Sequence, residues 1–334
     1  MARIAIFDIE EWEKEHITGD IDEEIIFFSE KLTAEKAETV SDCEVLVVFI
    51  YSNVSKEILD KMPNLKLIST MSTGFDHIDM EECASRDIKV CNVPSYGENT
   101  VAEHTFALIL ALSRKLVKAV DRARKGDFNL EGLRGFDLRG RTLGIVGCGR
   151  IGMHAAKIAR GFEMKVVVFD VNQDEKLAQE IGFEYVGLDS LLSQSDIISL
   201  HAPYNEHTHH MINRESIEKM KDGAMIINTA RGGLIETEAL FSALKTGRVS
   251  GAALDVLEEE TTIKEEKELL SHEFREKANL ATVLENHVLM NMENVIITPH
   301  NAFNSEEALM RIVNTTVSNI KGFLEGKIIN QVRK

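Results

Sequence analysis

The sequence has no long apolar run and few cysteines. No stretch approaches the ~20 consecutive apolar residues that a membrane-spanning helix requires. The cysteines show neither the paired spacing of a metal site nor the density of a disulfide scaffold, and they are Cys43, Cys83, Cys91 and Cys148. We therefore expect a protein of the reducing cytoplasm, with no membrane partner and no bound metal.

Basic side chains are also fewer than acidic side chains. The chain has 38 Lys and Arg side chains against 55 Asp and Glu side chains, a formal net charge of -17 at pH 7. This charge repels nucleic acid phosphates and anionic membrane surfaces, so neither is an expected partner. An anionic substrate would need local positive groups at its site, and Arg231 and helix N-termini are the candidates.

The length of the chain predicts two domains. Its 334 residues exceed a typical single hydrophobic core, and a hydrophobic content of 44% is ordinary for a globular protein. The N-terminal segment Met1–Phe7 turns polar at Asp8, so we expect a first strand there that is too short for a signal peptide.

Short β-type runs alternate with helical stretches along the whole chain, which is typical of parallel sheets covered by helices. In the first part of the chain, a helix is predicted at Ser55–Lys61 and strands at Arg3–Phe7, Val45–Phe49, Lys66–Thr70 and Ile88–Val90. A helical pattern then runs from Asn99 towards Arg124, long enough to cross between domains. A second series of strands is predicted at Thr142–Val146, Lys165–Phe169, Asp196–Leu200, Ala224–Asn228, Ser250–Leu254 and Val295–Thr298.

A glycine-rich loop follows the first strand of the second series. A lone GxGxxG pattern is a weak signal, but Gly147, Gly149 and Gly152 stand between a strand and a helix, where backbone amides and the helix dipole suit a pyrophosphate. The next strand ends at Asp170, close to the spacing expected for the acid that binds the ribose hydroxyls. Because its charge would repel a 2′-phosphate, Asp170 favours NAD as the cofactor.

These patterns predict an α/β protein with two doubly wound parallel-sheet domains and a cleft between them. Residues 101–300 are expected to form a Rossmann NAD-binding domain. Residues 1–100 and 301–334 are expected to form a smaller flavodoxin-like substrate (catalytic) domain, to which a helical stretch at Glu306–Gly326 returns.

Three residues that follow strand-like runs, Arg231, Glu260 and His300, together indicate hydride transfer to a 2-oxo acid. Arg231, flanked by glycine, can hold a carboxylate with two parallel hydrogen bonds and polarise the neighbouring carbonyl group. His300 can move a proton, and a carboxylate bonded to its ring would favour the charged form. Spacing from Asp255 favours Glu260 as that carboxylate, although Glu258 and Glu259 are adjacent rivals.

Three further histidines crowd one loop. His207, His209 and His210 have no carboxylate or cysteine at ligand spacing, so we interpret them as exposed loop residues and not as a metal site. The segment Glu258–Lys277 is rich in charge and is interpreted as a solvated helical surface.

An ordered series of motifs resembles the D-isomer-specific 2-hydroxyacid dehydrogenase family over nearly the whole chain. The motifs are Ser72–Asp76, Asn92–Tyr96, Gly147–Gly152, Asp170, His201–Pro203, Thr208–Asn213, Thr229–Gly232, Asp255–Glu260 and Thr298–His300. The resemblance implies that Arg231 binds substrate, that His300 is the acid/base and that Glu260 lies against it. It also implies that Thr73 and Gly74 help to hold the substrate carboxylate. The residues that it implies around the NAD are Arg150, Ile151, Ala202, Pro203, Thr208, Thr229, Ala230 and Asp255, besides the loop glycines and Asp170.

Within that family the chain is most similar to D-lactate dehydrogenases, because Tyr96 and Phe303 would give aromatic walls suited to a small apolar side chain. The length of chain between Glu260 and His300 and the polar residues Asn301 and Asn304 depart from that group's pattern. The alternatives are a dehydrogenase of another D-2-hydroxy acid, such as hydroxyisocaproate, phenyllactate, glyoxylate or hydroxypyruvate, and an NAD-sensing binding protein like the corepressors of this fold. An L-lactate or malate dehydrogenase would have its phosphate loop near the N-terminus. The resemblance further implies a homodimer.

Overall fold

Parallel β-sheets organise both parts of the computed structural model, which describes residues 2–258 and 280–332. The first unit comprises Met1–Tyr96 and Ser305–Lys334, and the second comprises Gly97–Asn304. Both units are α/β, which confirms the predicted fold class.

The first unit has a five-stranded parallel sheet in the order β2-β1-β3-β4-β5, the doubly wound order of flavodoxin-like folds. Its strands are β1 (Arg3–Ile6), β2 (Glu24–Phe27), β3 (Val45–Val48), β4 (Leu67–Thr70) and β5 (Lys89–Cys91). Its helices are α1 (Glu11–Thr18), α2 (Ala34–Thr39), α3 (Lys56–Asp60) and α4 (Met80–Ser85), with a C-terminal helix at Glu306–Leu324. Strand β3 is buried along its whole length, since both faces of a parallel sheet are covered.

The second unit has a seven-stranded parallel sheet in the order β12-β11-β10-β9-β6-β7-β8. Its strands are β6 (Thr142–Val146), β7 (Lys165–Phe169), β8 (Glu184–Tyr185), β9 (Ile197–Leu200), β10 (Ala224–Asn228), β11 (Val249–Leu254) and β12 (Val295–Ile297). Its helices are α5 (Glu98–Ser113), α6 (Leu116–Arg124), α7 (Arg150–Gly161), α8 (Glu175–Ile181), α9 (Leu188–Gln194), α10 (Arg214–Glu218), α11 (Thr237–Thr246) and α12 (Leu280–Met290). The order of strands reverses at the β6–β9 pair, and ligands of such sheets bind at the carboxyl ends beside that point.

The predicted strands are confirmed to within two residues at their ends, but β2 and β8 were not predicted. The prediction of one helical segment from Asn99 to Arg124 was wrong. Lys115 has a left-handed backbone with a φ of 50°, which separates α5 from α6. Among the described residues, no helix is both long enough and apolar enough to cross a membrane.

Candidate active site

The glycine loop between β6 and α7 has the geometry of a phosphate cradle. Gly147 has a φ of 92°, and a Cβ atom there would lie 2.7 Å from the amide nitrogen of Ala202. A Cβ atom at Gly152 would lie 2.2 Å from the carbonyl oxygen of Gly147. At Gly149, by contrast, an added Cβ atom would meet no atom of the described chain within 4 Å apart from its adjoining residues. The loop is therefore tight on its inner side and open on its outer side, where a pyrophosphate would approach.

Asp170 lies against this loop. Its carboxylate accepts a hydrogen bond from the amide of Cys148 at 2.6 Å and another from the amide of Asn172 at 2.8 Å. The carboxylate thus sits at the rim of the cradle, where a ribose would follow a bound pyrophosphate. Burial raises the pKa of the Cys148 thiol to about 11, and the charge of Asp170 adds to this effect. The thiol is consequently protonated at neutral pH.

The neighbouring loop after β9 contains other predicted cofactor residues. Ala202 is buried against the glycine loop, and Pro203 is exposed. The Thr208 hydroxyl donates to the carbonyl of Pro203 at 2.7 Å and accepts from the amide of Asn205 at 2.8 Å. Thr208 therefore shapes the turn that presents Pro203.

Three other predicted cofactor residues lie beside α5 or on α7. The Thr229 hydroxyl lies 2.9 Å from that of Thr105 on α5. Arg150 begins α7 and forms an ion pair with Glu98 at 3.4 Å, while Ile151 packs against the core of this unit. These contacts fix the rim of the glycine loop to α5.

A buried asparagine holds the turn that carries Arg231. Asn228, at the end of β10, is fully buried. Its side-chain oxygen accepts from the amide of Ala230 at 3.0 Å, and its side-chain nitrogen donates to the carbonyl of Arg231 at 2.8 Å. The Arg231 guanidinium donates to the carbonyl of Ala230 at 2.8 Å, and its side chain is only partly buried. Sequence reasoning did not give Asn228 a role, although its place between a strand and the Thr-Ala-Arg-Gly run was a usable signal.

The other side of this turn rests on the chain after β11. A Cβ atom at Gly232 would lie 2.0 Å from the carbonyl carbon of Leu257, so the residue must be glycine. The Glu258 carboxylate lies 2.6 Å from Nε2 of His210 and accepts a hydrogen bond from the Thr237 hydroxyl at 2.7 Å. The interpretation of His210 as an exposed loop residue was wrong, because its ring is half-buried in this pair and its amide donates to the carbonyl of Gly233.

The contact between Glu258 and His210 also bears on which carboxylate is the partner of His300. Glu258, one rival for that role, has both carboxylate oxygens bonded to His210 and Thr237. Glu259 and Glu260 lie outside the described residues, as does the charge-rich segment after Glu258 up to residue 279. The assignment of Glu260 stays a prediction.

Asp255 organises the turn that carries His300. Its carboxylate, 1% exposed, accepts from the Thr298 hydroxyl at 2.5 Å and from the amides of Asn301 and Ala302 at 2.7 and 2.9 Å. Burial alone would raise the pKa of Asp255, but its hydrogen bonds, first that from His104, outweigh burial and lower the pKa. A charged carboxylate is therefore the stable form at this position.

His300 itself has an unusual backbone. Its φ is 54°, a left-handed value that few residues other than glycine adopt. Its amide donates hydrogen bonds to the carbonyls of Asp255 at 2.8 Å and Thr298 at 2.9 Å. These bonds stabilise the strained backbone conformation of His300. Its ring lies edge-on to Phe303, with 6.5 Å between the ring centroids.

Sheet register brings the Arg231 and His300 turns to one edge. Asn228 of β10 is paired with Leu254 of β11, and Leu254 is paired with Ile297 of β12. All three strands therefore end side by side. The ends of β10 and β12 are two strand spacings, or about 10 Å, apart. Arg231 and His300 leave this edge on either side of Asp255.

The remaining predicted substrate residues lie in the first unit. Thr73 and Gly74 follow β4 at its carboxyl end, and the Thr73 hydroxyl donates to the carbonyl of Val93 at 2.8 Å. Tyr96 is half-buried, and its carbonyl accepts from Arg311 of the C-terminal helix.

One half-buried histidine of this region, His201, is unsuited to proton transfer. His201 follows β9, and its ring nitrogen lies 2.8 Å from the Ser199 hydroxyl. Burial lowers the pKa of His201 to about 4, so its ring is neutral near pH 7. No group of three or more His, Cys, Asp or Glu side chains in residues 2–258 and 280–332 could hold a metal ion.

Known proteins match this chain along most of its length. The family model of the D-isomer specific 2-hydroxyacid dehydrogenase NAD binding domain matches residues 106–302. D-lactate dehydrogenase of Escherichia coli is 34% identical over 333 residues, which cover 97% of this chain and 98% of that protein. A glyoxylate reductase of Korarchaeum cryptofilum is 36% identical over 295 residues, covering 87% and 82%. The structure of D-lactate dehydrogenase from Aquifex aeolicus, complexed with NAD and lactic acid, superposes with a TM-score of 0.83 at 38% identity and covers 97% of this chain and 96% of that one.

Proposed function

Because this chain belongs to the D-isomer specific 2-hydroxyacid dehydrogenase family, a family of NAD-dependent oxidoreductases, we propose that it reduces pyruvate to D-lactate. The observation that carries the proposal is the shared edge of β10, β11 and β12. There a guanidinium that can bind a carboxylate follows β10 and an imidazole follows β12, on either side of one buried acid, Asp255, which follows β11. Such an edge beside a dinucleotide cradle suits proton and hydride transfer to a small 2-oxo acid.

Each protein group has a distinct task in this proposal. Arg231 binds the substrate carboxylate through two parallel hydrogen bonds and polarises the 2-oxo group. We assign Glu260 as the carboxylate partner of His300, and the protonated imidazole donates its proton to the carbonyl oxygen as that oxygen gains negative charge. The Thr73 and Gly74 amides bind the carboxylate, and Tyr96 and Phe303 enclose the methyl group. In the reverse direction His300 accepts the hydroxyl proton.

The residues of the second unit fit an NAD molecule. The outer side of Gly149 is open, and the amides at the start of α7 suit a pyrophosphate. Asp170 would bond the ribose hydroxyls, with Ala202, Pro203, Thr208, Thr229, Ala230 and Asp255 around the rest of the cofactor. When bound, the reduced nicotinamide supplies the hydride that the carbonyl carbon receives.

A second copy of this chain is the proposed partner. Helix α6 has no buried residue, and Leu116, Val117 and Val120 on it are exposed. Phe128 and Leu130, just after it, are 81% and 79% exposed. Apolar area of this kind is typical of a surface that another subunit covers, and we propose a homodimer that works in the cytoplasm.

A substrate panel tests the proposed function. Oxidation of NADH is followed by its absorbance with pyruvate, 2-oxobutyrate, phenylpyruvate, glyoxylate and hydroxypyruvate in turn. We expect the highest kcat/KM with pyruvate. A preference for glyoxylate would instead support the activity named for the glyoxylate reductase relative, and no turnover with any 2-oxo acid would support an NAD-sensing binding protein.

A further inference from the structure

A chain of hydrogen-bonded amide side chains in the first unit ends at the Ser72–Gly74 loop. Asn92, which follows β5, is 6% exposed, and its side-chain nitrogen donates to the carbonyl of Thr73 at 2.8 Å. Behind it, the side-chain nitrogen of Asn319 donates to the carbonyl of Asn92 at 3.0 Å. Asn330 in turn donates to the side-chain oxygen of Asn319 at 2.8 Å. Asn92 and Asn319 are buried, whereas Asn330 is half-buried. Burying an amide is favourable only when its donors and acceptors are satisfied, and these three side chains are linked to one another.

The bond from Asn92 determines the direction of an amide on the opposite side of the loop. In a trans peptide the carbonyl and the next residue's N–H point to opposite sides of the chain. The carbonyl of Thr73 is held towards Asn92, and the carbonyl of Ser72 accepts from the amide of Val93 at 3.0 Å. The N–H groups of Thr73 and Gly74 therefore both point away from the Asn92–Val93 segment.

These two amides are available to an anion. Within residues 2–258 and 280–332, neither the Thr73 nor the Gly74 amide donates a hydrogen bond to the protein, and Thr73 is exposed. Successive N–H groups that point to one side form a concave anion site, which suits a carboxylate. The Ser72 hydroxyl steadies the same loop by donating to the carbonyl of Gly74 at 2.6 Å.

We propose that Asn92 is a positioning residue for the substrate carboxylate. Its side chain holds the peptide between Thr73 and Gly74 so that the Gly74 N–H faces the anion, and Asn319 and Asn330 hold Asn92 in place. The inference rests on the proposed function, because that function supplies the carboxylate. It assigns part of substrate binding to a side chain that does not touch the substrate.

The test variant is Asn92→Asp, which has the same shape but places a carboxylate oxygen against the Thr73 carbonyl. Rotation of this peptide should weaken the carboxylate site without affecting the second unit. We expect both KM for pyruvate and the inhibition constant of oxamate, a carboxylate-bearing pyruvate analogue, to rise about tenfold, or about 1.4 kcal/mol. The dissociation constant of NADH should stay within about twofold of wild type. Asn92→Ser, which removes the amide without adding charge, should change the same two constants in the same direction and is used if Asn92→Asp does not fold.

Thr316→Val is the matched control. Thr316 is fully buried in the C-terminal helix of the same unit, and its hydroxyl has no hydrogen-bond partner within the described residues. This variant should leave all three constants unchanged. Pyruvate and oxamate constants within twofold of wild type in folded Asn92 variants would overturn the inference, and so would equal weakening of NADH. A wild-type protein that reduces no 2-oxo acid would instead refute the proposed function.

Discussion

The main chain of Asp255 accepts a hydrogen bond from the amide of His300 at 2.8 Å, while its carboxylate accepts from the next two amides along the chain. One buried acid thus holds the whole turn on which the proposed proton donor is mounted. The left-handed backbone of His300 depends on these bonds.

Asp255→Asn should therefore lower both stability and turnover. The new side-chain NH₂ would face a donor, at a cost of roughly 2–3 kcal/mol in the free energy of unfolding. Because the pKa of Asp255 is lowered on folding, its charged form stabilises the wild type above the ordinary carboxyl pKa of about 4, and this contribution is lost as the pH falls through the folded-state value. Denaturant unfolding of wild type and Asp255→Asn at several pH values measures this difference in the free energy of unfolding. A stability difference that persists undiminished at the lowest pH would contradict it.

His300→Gln should lower kcat by about 10²–10⁴-fold, the range typical of a lost general acid. Glutamine can still form a hydrogen bond but cannot deliver a proton to the carbonyl oxygen. NADH binding, measured by fluorescence titration, should change little. His209→Gln, on an exposed ring of the same unit, is the control, and near-normal turnover of the His300 variant would remove this residue from the mechanism.

Arg231→Lys should lower kcat/KM for pyruvate by about 10²-fold or more, because an ammonium group cannot form the two parallel bonds of a guanidinium. Most of the effect should come from weaker substrate binding and weaker polarisation of the 2-oxo group, and the dissociation constant of NADH should be unchanged. Steady-state kinetics provide the measurement. Arg214→Lys, at an exposed position in the same unit, is the matched control. Equal kcat/KM values for wild type and Arg231→Lys would refute the pair of parallel hydrogen bonds to the carboxylate.

Asp170→Ala should weaken NADH and reduce the preference for NADH over NADPH. The variant loses the proposed partner of the ribose hydroxyls and the charge that repels a 2′-phosphate. The ratio of kcat/KM values for the two cofactors reports the change. The control is Glu184→Ala, at an exposed position on the neighbouring strand β8, and it should leave the ratio of the two kcat/KM values unaltered. An unaltered ratio in Asp170→Ala would contradict the assignment of Asp170.

Much of the fold was predictable because its signals are local. Apolar runs such as Val45–Val48 and Lys165–Phe169 gave the strands, and the spacing of Gly147, Gly149 and Gly152 gave the cradle. The short strand Glu24–Phe27 and the helix break at Lys115 were missed. The break depends on a single backbone angle that no apolar pattern encodes.

Supporting contacts of the candidate site were harder to predict because their partners are distant in sequence. His210 and Glu258 are 48 residues apart, and Asp255 and Ala302 are 47 apart. Nothing in a local pattern distinguishes a loop histidine that meets such a partner from one in solvent. The roles of Asn92 and Asn228 likewise require knowledge of which carbonyl each amide faces.

The central claim is that residues at the β10–β12 edge bind pyruvate and give it a proton, so that hydride from NADH reaches one face of its carbonyl group. Chiral chromatography of the product formed from pyruvate and NADH tests it most directly. The account predicts D-lactate, formed in an amount equal to the NADH consumed. L-lactate, or NADH oxidation without lactate, would contradict it.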